Sequence, residues 1–133
     1  MALHLLDFDV SEDAEGVVCW DALAAPAPQH HSALLQEVSA VLAWAYQFDA
    51  QGPGPLEDGA HWDYDLQAWL HTPDQPPESV PIAFDPTTGL TPVTAGAWSG
   101  TVKEPSAARL ALSLSLSGTP DFAQAFRAQW NAA

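Results

Sequence analysis

Residues 109–117 read RLALSLSLS, with Leu110, Leu112, Leu114 and Leu116 on one parity and Ala111, Ser113, Ser115 and Ser117 on the other. A β-strand sends successive side chains to opposite faces, so this run predicts a strand with one apolar and one polar side. Such a strand belongs in a sheet packed on one face and open to water on the other. Gly118 ends the run.

Other segments carry the same alternation. Residues 3–10 set Leu6, Phe8 and Val10 against Asp7 and Asp9, and residues 17–25 set Val18, Trp20 and Ala22 against Cys19 and Asp21. With the acidic stretch 11–16 as a turn, these two predict an N-terminal hairpin. Residues 61–70 place Trp62, Tyr64, Leu66, Ala68 and Leu70 opposite His61, Asp63, Asp65, Gln67 and Trp69. Residues 80–85 predict a short strand with Val80, Ile82 and Phe84 inward, and Pro81 assigns it to a sheet edge. Residues 51–59 read as a loop, 72–78 as a Pro-rich break and 85–89 as a turn. Residues 90–105 are expected to form either a poor edge strand or a long loop.

Between residues 29 and 49 the period changes. Leu34, Leu35, Val38, Val41, Leu42, Ala45 and Phe48 recur at three- and four-residue spacing, which predicts an amphipathic helix. A second helix starts at Thr119-Pro120-Asp121, with Thr119 as N-cap and Pro120 in the first turn. Its inner face is expected to carry Phe122, Ala125, Phe126, Gln129 and Trp130. The order ββα-ββ(β)-α predicts a two-layer α+β fold: a mainly antiparallel sheet of four to six strands with two helices on one face. Residues 1–133 are read as a single domain. The expected core is Leu6, Phe8, Val18, Trp20, Leu35, Val38, Leu42, Trp62, Tyr64, Leu66, Phe84, Leu112, Leu114, Phe122 and Phe126.

The charge is lopsided: 17 acidic residues against 3 basic ones, for a net charge of −14. Nucleic-acid binders neutralise phosphates with clustered Lys and Arg, and Lys103, Arg109 and Arg127 form no such cluster. An anionic membrane surface would repel the chain. No nucleic-acid or membrane partner is therefore expected. The single cysteine, Cys19, forms no intrachain disulfide and lies in an apolar run. Asp7 and Asp9 interrupt the only candidate signal peptide, no apolar run reaches membrane length, and a cytoplasmic location is the expectation.

No dinucleotide, phosphate-loop, dithiol or nucleophile-elbow motif occurs, so no cofactor is expected. The sharpest cluster is His61, Asp63 and Asp65, which share a strand face about 6.5–7 Å apart. Imidazole and carboxylates bind divalent ions, and Asp7, Asp9 or Asp21 could complete a shell from neighbouring strands. An acidic, solvated outer face gives the same pattern and is the simpler account. Paired carboxylates with Trp62, Trp69 and Tyr64 nearby could serve glycoside hydrolysis, but the chain leaves little room for a substrate cleft. His30 and His31, at the start of the first helix, are expected to be exposed to solvent.

The expected function is a non-catalytic binding module, with a basic protein as the partner. Its interaction surface would comprise Asp7, Asp9, Asp21, Trp69 and Trp98. The alternatives are a divalent-metal protein, or small metal-dependent enzyme, using the acidic face, and a homodimer through the Pro81 edge strand or Trp69 and Trp98.

Overall fold

The computed structural model describes residues 3–49, 51–90 and 109–130. In chain order the elements are β1 (Asp9–Glu12), β2 (Val18–Ala24), α1 (His31–Phe48), β3 (Trp62–His71), β4 (Glu78–Val80), β5 (Phe84–Asp85), β6 (Gly89–Leu90), β7 (Arg109–Gly118) and α2 (Pro120–Trp130). Five strands form one antiparallel sheet in the order β1-β2-β7-β3-β4, and β5 and β6 form a separate ribbon. This is the α+β architecture that the alternation and the change of period predict. The Leu/Ser run is its central strand.

The register of β7 explains why its leucines dominate the inner face. Leu112 lies between Ala24 and Ala68, Leu114 between Ala22 and Leu66, and Leu116 between Trp20 and Tyr64. All three leucines are buried, each contributing about 1.5–3 kcal/mol relative to exposure. Above them α1 and α2 meet through aromatic rings: Trp44 of α1 lies 5.6 Å from Phe122 and 5.8 Å from Phe126 of α2. Phe122 stacks on Trp62 of β3 at 5.8 Å with an interplanar angle of 4°. Both helices therefore pack on the same side of the sheet. Among the described residues the buried indole N–H groups of Trp20, Trp62 and Trp130 find no hydrogen-bond partner, an enthalpic cost that the large apolar rings offset.

Gly118 closes β7 because the chain must pass against a ring. A Cβ there would overlap Cδ1 of Phe122 and stand 2.7 Å from its Cγ. The next residue starts α2 as its composition predicts. Thr119 places its Oγ1 3.5 Å from the Phe122 N–H, its carbonyl accepts from the Ala123 N–H at 2.8 Å, and its own N–H donates to the His61 carbonyl.

The structure departs from expectation in five places. Residues 3–8 are not strand, and β1 starts only at Asp9. The buried carboxylate of Glu37, on α1, accepts the backbone N–H groups of His4, Leu5 and Leu6 at 3.0–3.1 Å. Successive N–H groups of a strand point to opposite edges, so three consecutive ones cannot converge on one carboxylate in that conformation. The expected strand at 80–85 is two pieces. Pro81 has no N–H for the ladder, so pairing with β3 stops at Val80, and Phe84 and Asp85 turn away to join Gly89 and Leu90. The turn between them is built by Asp85, whose carboxylate accepts the Thr87 N–H at 2.7 Å, and by Gly89 at φ 87°. On α2, Ala123 is buried and Gln129 is exposed. Of the expected core, Phe8, Leu35, Tyr64 and Leu66 are half-buried.

The fifth departure is His31, which is buried, not exposed. Its Nε2 accepts the Leu110 N–H at 3.1 Å, and the ring also bonds the Pro26 carbonyl. It thereby ties the start of β7 to the chain entering α1. Burial, then the charge of Arg109, lowers its pKa from 6.5. The unfolded chain takes a proton near that value while the folded chain resists it, so stability is expected to fall as pH drops below 6.5. Urea midpoints at pH 7.5 and 5.5 check this. The acid-side loss should shrink in His31→Gln, and an identical loss in both proteins would show that His31 plays no part.

Candidate functional site

The face opposite the helices carries the polar parity of β2, β3 and β7, and cross-strand pairing arranges it in rows. Ser11, Cys19, Ser117 and Asp63 form the first row, and Asp9, Asp21, Ser115 and Asp65 the second. Leu23, Ser113 and Gln67 form the third, Ala111, Trp69 and Ser79 the fourth, and Arg109 and His71 the last. Neighbouring strands lie about 4.8 Å apart, so Asp9 and Asp21 are adjacent, while Asp21 and Asp65 stand about 10 Å apart across Ser115. Like charges directly opposite one another destabilise a sheet; Asp9 and Asp21 are such a pair, and only the uncharged Ser115 separates Asp21 from Asp65.

Asp9, Asp21 and Asp65 are exposed and Asp63 is half-buried. Asp21, Asp63 and Asp65, together with Cys19, Ser115 and Ser117, line a shallow hollow of about 380 Å³. Asp63 accepts the N–H of Tyr64 at 2.9 Å, and Asp65 accepts from the Gln67 amide at 3.0 Å. The carboxylates thus have light local support and otherwise face water.

The chemistry this surface offers is limited. Burial, then Asp21 and Asp13, pushes the Cys19 thiol up, so it is a thiol at neutral pH, not the thiolate a nucleophile requires. Tyr64 lies on the inner parity. Burial and the neighbouring Tyr46 and Asp63 push its phenol up to about 12, far from a value suited to proton transfer at neutral pH.

The residues predicted from the sequence separate into groups. Asp9, Asp21, Asp63 and Asp65 come together on the open face, as their parity implies. His61 is exposed at the bend that precedes β3, and Asp7 is exposed ahead of β1, outside the ladder. Among the described residues no group of three His, Cys, Asp or Glu side chains is placed to hold a metal ion. Trp69 is half-buried in the fourth row. Trp98 lies outside the described residues. Two features of the face escaped notice in the sequence. Leu23 is 74 % exposed beside the acidic rows, and the last row carries the basic Arg109. The parity that exposes Cys19 and Asp21 also exposes Leu23, so the signal for it was present.

Compared with known proteins, the chain matches no family model, no curated protein and no solved structure. Among the described residues no helix is long and apolar enough to cross a membrane.

Proposed function

We propose that the protein is a non-catalytic binding module whose open sheet face receives a basic protein partner. The observation that carries this reading is the row Asp9, Asp21, Ser115 and Asp65, with Asp63 beside it, on the face the helices leave bare. Mutual repulsion makes these carboxylates a cost to the sheet, and a partner bearing Lys or Arg would relieve it. The raised thiol of Cys19 argues against nucleophilic catalysis on the same face. Complementary charge also gives fast, salt-sensitive association.

A labelled decalysine peptide tests the reading by fluorescence anisotropy across a salt series. Two variants of equal net charge are compared. One carries Asn at Asp9, Asp21, Asp63 and Asp65. The other neutralises the exposed Glu15, Glu57, Asp58 and Asp74. Four surface ion pairs at about 0.3–0.5 kcal/mol each predict a loss of about tenfold in the first variant and little change in the second. The first variant should also unfold at a higher urea concentration than the native protein, because repulsion has been removed. Equal losses in the two variants would show that net charge acts without the face, and the reading would fail.

A further inference from the structure

The open face is not uniformly acidic, and its gradient specifies a shape of partner. Resting on the reading above, we propose that the partner segment is an amphipathic helix lying along the strands, with Lys or Arg over the Asp rows and an apolar side chain over Leu23 and Trp69. Leu23, 74 % exposed, follows Asp21 by one step of parity on β2. Across Ser113 and Gln67, Trp69 borders a second hollow of about 240 Å³, shared with Ser79, Pro81 and Ile82. Acidic and apolar contacts therefore sit on one continuous surface.

Spacing and backbone chemistry favour a helix. Asp21 and Leu23 are two residues apart, about 7 Å, and Asp65 and Trp69 four residues apart, about 13 Å. On a helix rising 1.5 Å per residue these distances span about one to two and a half turns. One helical stripe can thus meet both regions. Along the middle of the face β7 is paired with both β2 and β3 from Leu112 to Gly118, and ladder groups lie in the plane of the sheet, so the face itself offers a partner side chains. A helix satisfies its own backbone and needs only side-chain contacts, and sheet faces in layered domains are ordinarily covered by helices. Arg109 in the last row fixes direction, since a reversed helix would bring its basic end against that guanidinium.

The test compares two fluorescein-labelled peptides carrying equal numbers of lysines. One is an alanine-based helix with lysines in its first turns and one leucine per turn on the same stripe thereafter. The other is a flexible lysine–glycine chain. The helical peptide is expected to bind at least tenfold more tightly, and Leu23→Ser should reduce it to the level of the flexible chain. That variant should leave flexible-chain binding and the melting curve unchanged, because the side chain is exposed. Equal affinity for both peptides, or no effect of Leu23→Ser, overturns the helix and leaves the acidic recognition surface standing. Failure of both peptides to bind overturns the recognition surface itself.

Discussion

Replacing Gly118 by alanine is expected to destabilise the protein by about 3 kcal/mol, the upper part of the range for forcing an extra methyl into a packed core. The new Cβ would overlap the ring of Phe122, and that ring has no room to retreat. It is fully buried, stacked on Trp62 and held edge-on by Phe48 at 5.4 Å and Trp20 at 5.8 Å. Urea denaturation measures the loss. A double-mutant cycle assigns it: Gly118→Ala should cost less when Phe122→Leu has already opened space, with a coupling of about 1 kcal/mol. Strictly additive effects would mean that the glycine serves some purpose other than clearing the ring.

Glu37→Ala is expected to cost a comparable amount, again about 3 kcal/mol. Hydrogen bonds to a charged group contribute about 1.5–3 kcal/mol each, but water can replace those at His4 and Leu5, which are not buried. The Leu6 N–H is buried and would lose its partner outright. The loss should also be local. Hydrogen exchange is expected to show the amides of residues 4–6 unprotected in the variant, while those of β2 and β7 stay slow. Glu37→Gln keeps the shape and one acceptor oxygen, and should fall between the native protein and Glu37→Ala. Should protection at residues 4–6 survive in Glu37→Ala, packing of Leu6 and Phe8 alone would be holding the segment.

Glu37 also shows where the sequence stopped being legible. The two-faced strands could be read because a period of two leaves an unambiguous trace: Trp20 and Trp62 lie inward, Asp21 and Asp65 outward, as their parities dictate. The helices were legible for the same reason, and Thr119-Pro120 marked a boundary through local hydrogen bonding. Residues 3–8 carry a strand's alternation, yet a single side chain 31 to 33 residues away captures the N–H groups of His4, Leu5 and Leu6. The hint was a carboxylate three residues after Leu34, on the apolar stripe of α1. His31 carried a similar hint, three residues before Leu34 on that stripe, and its burial depends on reaching the start of β7. Such contacts rest on tertiary distance, which periodicity does not encode. The site divides likewise. Parity grouped the aspartates on one face, but only strand order and register show that Asp9, Asp21 and Asp65 share a row, or that Leu23 adjoins it.

Strand order has a consequence for how each copy of the protein is made. The middle strand, β7, is the last described strand along the chain, and it separates β2 from β3. A ribosome therefore delivers β2 and β3 well before the strand that joins them, and each waits with one edge unpaired. Contacts this distant in sequence form slowly, and an open edge invites pairing with a neighbouring nascent chain. Asp21 on the one waiting strand, and Asp63 and Asp65 on the other, give any such neighbour the same sign of charge. The carboxylates proposed to receive a partner in the finished protein would, earlier, have kept unfinished chains apart.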